Sequence, residues 1–427
     1  MVIIKDIHFN TEQTMKNESL RTFAKQYAEL ARSPAQDEKR RSWKKLNSFK
    51  FQKPLIYMRA IPYHEFFDFS VIKSEDPLLR RIETELATSV IYKQRLDDDY
   101  IFEPWIKVRA KFTNENNDRW GVPCSLGEKI MAHGAAAFVP QIKKEEDIEK
   151  VIPVKYEIDE KATQLRMEKA QEAVGDILDV VCDRQGIYCQ TWIRDISTDI
   201  AKIRGLEQIM WDMMDRPEWL HRLLSRMRDT ILADIDKTEK AGNFRRHNNE
   251  NQAISYCEEL AEPDASTAPR KTSELWTFMA SQEYTGIGPD LYDEFLLQFQ
   301  KPITERFGMA SYGCCEDLTL KIPLLKKFKN IRRIAITPCM NVRKSAEQLG
   351  KDYIASYRPN PTDMIAHGLD ETTVRKIVKR DYEALKENNC AFDITLKDVE
   401  TIAGKPENMI NWVKLIRKIG EEVFGQD

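Results

Sequence analysis

Histidine is scarce in this chain, with six in 427 residues. They stand at 8, 64, 133, 221, 247 and 367, and no two are spaced as HxH or HxxxH. The histidine pair of the HExxH zinc enzymes is therefore absent. The eight cysteines (124, 182, 189, 257, 314, 315, 339, 390) contain no CxxC pair and form no secreted-type disulfide framework. Neither GxGxxG nor GxxxxGKS/T occurs, which removes the usual glycine loops for dinucleotides and nucleoside triphosphates, and GxSxG is missing as well. No apolar run reaches the roughly 18 residues of a membrane span. Neither charge sign dominates: 66 Lys and Arg against 69 Asp and Glu leave a net charge of −3. That balance argues against nucleic acid or an anionic membrane as the main partner. Charge arrives at Lys5 and Asp6, too soon for a signal peptide, and unpaired thiols fit a cytoplasmic protein.

What is present is a chain that is 42% hydrophobic, enough for one large domain or two ordinary ones. Residues 10–50 are polar with helical periodicity (Leu20, Phe23, Tyr27, Leu30), so 1–50 read as a helical N-terminal lead-in, with the main fold spanning 51–427. Strands are expected at 54–62, 136–139, 186–189, 253–256, 308–312, 334–337, 353–357 and 391–396. Helices are expected at 76–95, 159–181, from Pro217 onward, and at 291–299, 320–328, 342–349, 371–388 and 406–423. Such alternation means parallel strands with crossover helices, and eight candidates predict an α/β fold closed as a (β/α)8 TIM barrel. Asp97-Asp98-Asp99 reads as a turn or a hard-cation site, and Met210-Trp211-Asp212-Met213-Met214 as core.

Barrel enzymes place their chemistry at the C-terminal ends of strands. The most informative such end is Ser311-Tyr312-Gly313-Cys314-Cys315-Glu316-Asp317, where two adjacent thiols meet two carboxylates. Either the cysteines are inert core, as free Cys often is, or they ligate a soft metal or act in catalysis. Other strand ends offer Arg59, Trp192, Glu258 with Glu259, Gln282 with Glu283, Cys339, Arg358 with Asn360, and Lys397 with Asp398. Trp105, Trp120, Trp192 and Trp276 either line a pocket or pack, the commoner role for tryptophan. His221 reads as structural; His64 and His367 follow strand candidates.

The order of Leu275-Trp276, Ser281-Gln282-Glu283-Tyr284, Glu305-Arg306-Phe307-Gly308, Tyr312-Gly313-Cys314-Cys315-Glu316, Ser356-Tyr357-Arg358-Pro359-Asn360-Pro361 and Ile394-Thr395-Leu396-Lys397-Asp398 resembles the uroporphyrinogen decarboxylase superfamily. More closely, it resembles the branch related to corrinoid-dependent methyltransferases. The likeness runs over about 200–425. It implies a (β/α)8 barrel and, for that branch, zinc held by His-x-Cys on one strand end and a cysteine on the last strand. Here Tyr312 takes the histidine place, Cys314 matches the first cysteine, and Lys397 and Asp398 stand where the second would be. The resemblance thus implies a changed metal set of Cys314, with Cys315 and Glu316 as local substitutes.

Three functions follow as expectations. The first is methyl transfer between a small substrate and a corrinoid protein or thiol acceptor, zinc-assisted. Glu316, Glu283 and Tyr312 would then be catalytic, and Arg59, Trp192, Gln282, Arg358, Asn360, Lys397 and Asp398 would bind substrate. The corrinoid would sit on a separate partner protein, and a homodimer is compatible. The second is metal-free decarboxylation of a porphyrinogen-like polycarboxylate, with Arg59, Arg358 and Lys397 gripping carboxylates. The third is a non-catalytic binding protein on the same scaffold.

Overall fold

A computed structural model describes residues 18–114, 118–128, 136–245, 249–250 and 253–425. The first 17 residues of the expected lead-in lie outside this set. In chain order the strands are β1 (Leu55–Ala60), β2 (Trp105–Arg109), β3 (Asp179–Asp183), β4 (Asn249–Glu250), β5 (Ala253–Ile254), β6 (Trp276–Met279), β7 (Met309–Tyr312), β8 (Ile331–Ile336), β9 (Ile354–Tyr357) and β10 (Ala391–Val399). Six of them make one curled parallel sheet in the order β1-β10-β9-β8-β7-β6. Every residue of β6, β7 and β9 is buried, as expected for parallel strands covered on both faces. Helices Val342–Leu349 and Glu371–Glu387 make the crossovers into β9 and β10. Asn341 and Asp370 start them by accepting first-turn N–H groups.

The expected eight-stranded closure is not seen among the described residues. β2 and β3 pair with each other in a separate parallel ribbon, and β4 with β5 in a short antiparallel one. At β1 the ladder stops for a specific reason. The Ile56 N–H donates to Asp99 Oδ2 (2.7 Å) and the Met58 N–H to Asp98 Oδ2 (2.8 Å), while the Asp99 N–H returns to the Ile56 carbonyl (2.7 Å). Two carboxylates thus fill donors that a neighbouring strand would otherwise use. The acidic run is an edge cap, not a solvated turn or a cation site. Burial pushes the Asp98 carboxyl up to about 6 and also raises Asp99.

Other expectations also shift. Residues 187–189 form a 3₁₀ turn, and the strand of that region is β3, where the tail of a helix was expected. The helix there, Glu160–Val174, ends before Gly175. At 136–139 a single bridge joins Phe138 to Leu126. In helix Leu206–Asp215, Met213 is core, but Met210, Trp211 and Met214 are 39%, 57% and 68% exposed, so most of the expected methionine core faces outward. No helix among the described residues is long and apolar enough to cross a membrane.

The N-terminal helices Glu18–Ala31 and Pro34–Asn47 are part of the packing. Leu20, Ala24 and Ala28 share a core with Leu79, Ile82, Ile106 and Val174. Trp43 donates its indole N–H to the Asp99 carbonyl (2.7 Å). Asn47 donates to the carbonyls of Ile254 (2.6 Å) and Tyr256 (2.8 Å), and it accepts from Arg333 (2.7 Å). Arg333 in turn pairs with Asp393, both fully buried near the N-terminal end of the sheet. Asp393→Asn leaves the guanidinium without its counter-ion. It should lower the unfolding free energy by about 3–5 kcal/mol in urea denaturation; a loss under about 1 kcal/mol, the worth of an exposed pair, contradicts this.

Candidate functional site

The site is built where β6, β7 and β10 end. After Tyr312 the chain turns through Gly313 at φ +100°, and a Cβ there would meet Leu318 at 2.8 Å and Ala335 at 3.0 Å. Only glycine fits both the conformation and the space. The turn carries Cys314 and Cys315 and folds back over Glu316, which is 1% exposed. Glu316 Oε2 accepts the N–H groups of Cys314 (2.7 Å) and Cys315 (2.9 Å). Its Oε1 accepts the N–H (2.7 Å) and hydroxyl (2.9 Å) of Ser281, just past β6. One buried carboxylate thereby pins two strand ends together and presents both sulfurs.

Below this clamp runs a hydroxyl chain. Tyr292 lies 2.8 Å from Ser281 Oγ and 2.7 Å from the Tyr312 hydroxyl. Tyr312 donates to Gln300 Oε1 (2.5 Å), and Gln300 Nε2 donates to the carbonyls of Asp195 (2.6 Å) and Ala280 (2.8 Å). Burial raises both phenols far above their ordinary range, so they stay neutral.

Above the clamp, Lys397 Nζ lies 3.0 Å from Cys315 Sγ, 3.2 Å from Cys314 Sγ and 2.5 Å from Asp398 Oδ2. Consecutive strand residues normally point to opposite faces. Here Met58 pairs with Leu396 but Ala60 with Val399, so a bulge falls at Lys397 and Asp398, and Asp398 takes φ +55°. That bulge brings both side chains into one cluster. Arg358, beyond β9, braces the turn by donating to the carbonyls of Gly313 (3.0 Å) and Cys314 (2.8 Å).

The two sulfurs are 3.6 Å apart and inequivalent. Cys315 also lies 3.3 Å from the Asp398 carboxylate, which disfavours a negative charge on it, so its S–H proton stays in place to face Cys314. Cys314 is the thiolate. The hydrogen bond from Cys315, together with the charges of Arg358 and Lys397, outweighs burial and brings its pKa down to about 6. The Cys315 thiol is pushed up by its bond to Cys314 and by burial. Burial and Arg358 press Lys397 down, yet Cys314, Asp398 and Cys315 hold it above the ordinary lysine value. Cys314 is buried and Cys315 half-buried, while the Asp398 side chain is 56% exposed, so the cluster opens at the rim.

These residues do not fit a zinc site. Structural or catalytic zinc takes at least three protein donors. Among the described residues, no group of three or more His, Cys, Asp and Glu side chains is arranged to hold a metal. Glu316 has both oxygens committed to N–H and O–H donors, and an ammonium contacts both sulfurs. The expected set of Cys314, Cys315 and Glu316 is thus corrected to a thiol pair with a lysine. Glu316, expected as catalyst or ligand, is a positioning residue, and Tyr312 points down the hydroxyl chain toward Gln300.

The other expected residues are spread along the rim. Trp192, 36% exposed, packs edge-on against Phe278 (5.3 Å), which shares an apolar cluster with Ala280, Cys314 and Cys315. Gln282 and Glu283 lie in the turn after β6, with Glu283 Oε2 buried and lacking a hydrogen-bond partner among the described residues. Arg59 is exposed on β1. Asn360 is exposed and caps a short helix through Thr362. Cys339 is exposed, and so is His64 at 79%. His221 bonds Glu294 (3.1 Å) beside Phe295. Ser281, Tyr292, Gln300 and Thr337, which donates to the Glu316 carbonyl (2.9 Å), were not foreseen. Their only signal in the sequence is polarity in otherwise apolar segments.

No family model matches the chain, and no curated protein matches it. Among solved structures, a methyltransferase from Methanosarcina mazei superposes with a TM-score of 0.45 at 9% identity, covering 93% of this chain and 98% of that one. A likeness this distant assigns neither chemistry nor ligand to the present chain.

Two outcomes follow from the geometry. Iodoacetamide alkylation of Cys314, followed on its tryptic peptide, should rise with pH through a midpoint near 6; a midpoint at about 8.5, the ordinary thiol value, contradicts the assignment. Glu316→Gln turns an acceptor into a donor facing N–H groups, and should cost about 1.5–3 kcal/mol in denaturant melts. An unchanged melt refutes the clamp.

Proposed function

We propose that this chain is an enzyme that moves a methyl group between a small substrate and a thiol acceptor, and that the acceptor is the Cys314 thiolate. The observation that carries this reading is the Lys397 ammonium within hydrogen-bond distance of both sulfurs at the rim. A fixed cation next to a thiol does what a bound metal otherwise does: it keeps sulfur anionic at neutral pH. A thiolate is a soft nucleophile suited to a saturated carbon. Its lone pair forms the C–S bond, the bond from that carbon to the donor heteroatom breaks, and the leaving heteroatom keeps the electron pair.

Lys397 supplies the proton to that heteroatom. The sign of its perturbation supports this. Cys314 helps to hold the proton on Lys397, and methylation removes that charge, so release is timed to the transfer. Solvent at the open rim then returns a proton to Lys397, and the Asp398 carboxylate pairs with the restored ammonium. Trp192, which packs on the buried Phe278, gives the small donor an apolar surface. The resemblance to the corrinoid-dependent branch supports a corrinoid-carrying partner as onward acceptor, a group nucleophilic enough to demethylate a thioether.

The decarboxylase reading is weaker. It needs cations open to substrate carboxylates, whereas Arg358 is buried with Nη1 on two carbonyls, and Lys397 faces two sulfurs and a carboxylate.

The test is a panel of O-, N- and S-methyl donors with peptide mass spectrometry. The reading expects a methyl-group mass gain on the Cys314 peptide, none in Cys314→Ser, and a rate lowered about 10²–10³-fold in Lys397→Met. Methyl transfer that persists in Cys314→Ser contradicts it.

A further inference from the structure

We infer that the Cys314–Cys315 pair is a binding site for a trivalent, thiophilic metalloid, of the class of monosubstituted arsenic(III) species R–As(OH)₂. The inference rests on the placement of the two sulfurs and not on methyl transfer.

The pair is poorly suited to closing on itself. Adjacent residues across a trans peptide bond keep their Cα atoms about 3.8 Å apart, below the roughly 4.4 Å at which unstrained disulfides begin. A Cys314–Cys315 disulfide would therefore be strained and easily reduced, and the pair persists as a dithiol. A single soft atom bridging the sulfurs needs no such contraction. With bonds to sulfur of about 2.3 Å, the length typical of zinc–thiolate bonds, it sits above a 3.6 Å gap without moving either side chain.

The same gap discriminates among soft ligands. A linear two-coordinate ion would hold its sulfurs about 4.6 Å apart, twice that bond length, so it demands that the turn open. A tetrahedral ion needs donors this site lacks. A pyramidal trivalent centre needs two sulfurs close together and carries its own third substituent, which is what the rim offers. That substituent would lie toward Trp192, the exposed aromatic that packs on Phe278 at the apolar side of the cluster.

The exchange balances without a redox partner. R–As(OH)₂, the Cys314 thiolate, the Cys315 thiol and one proton give R–As bridged by two sulfurs and two waters. Two As–O bonds break, two As–S bonds form, and arsenic stays trivalent. The product is neutral, and Lys397 keeps its ion pair with Asp398. The thiolate starts the exchange, and the neighbouring thiol completes the ring.

The experiment titrates the whole reduced chain with phenylarsine oxide, reading bound arsenic by intact mass and free thiols colorimetrically. Expected is one arsenical per chain with the loss of two thiols, reversed by 2,3-dimercaptopropanol and not by a monothiol. Cys315→Ser should weaken binding on the order of 10²–10⁴-fold through loss of the second attachment. Peptide mapping of the wild-type complex, with the remaining cysteines alkylated, should find only 314 and 315 protected, a readout that needs no variant to fold. Protection of other cysteines, no uptake, or equal affinity in Cys315→Ser overturns the inference. Cys314 methylation with no arsenical uptake refutes this site alone, and uptake without methylation refutes only the catalytic reading.

Discussion

The charge pair between the Lys397 ammonium and the Cys314 thiolate is the interaction on which the rest of the site depends. Neither group is comfortable alone. A buried lysine without a counter-ion loses its proton, and a buried thiol without a cation keeps its own. Together they hold each other ionised at the mouth of a parallel sheet. The surrounding structure serves to bring them within about hydrogen-bond reach. Glu316 orients the turn that carries the sulfurs, Arg358 braces it, and the bulge in β10 aims Lys397 and Asp398 to one side.

This division of labour separates positioning from chemistry. Glu316 is buried and saturated by four donors, and it acts through the backbone it organises. Asp398 is exposed and touches both Lys397 and Cys315, so it sets which sulfur carries the charge and links the cluster to water. At the opposite end of the strands, Asn47, Arg333 and Asp393 form a second buried network with an anchoring role. The segregation of stability to one end and chemistry to the other matches the general design of parallel α/β sheets.

Much of the fold was legible in the sequence. The apolar runs at 308–312, 353–357 and 391–396 are strands, and Val342–Leu349 and Glu371–Glu387 are helices close to the expected limits. These segments are buried on both faces or strongly amphipathic, so local pattern decides them. β6, β2 and β3 were missed; β2 is a half-exposed ribbon strand, and β3 continues a helical pattern. Among the described residues closure is not seen at β1, where the side chains of Asp98 and Asp99 cap the edge, and no periodicity records that. In the site, Cys314, Cys315, Lys397 and Asp398 each stood out at strand ends, but their meeting across 83 residues depends on a bulge invisible in one sequence. Glu316 beside cysteine looked like a ligand, and only an accounting of backbone N–H groups reveals the clamp.

The most direct measurement is the thiolate absorbance of the native chain near 240 nm at pH 7, taken as a difference from Lys397→Met. The account predicts one thiolate per chain in the native protein, diminished in the variant and absent from Cys314→Ser. Equal absorbance in native and Lys397→Met proteins, or none in either, would contradict it.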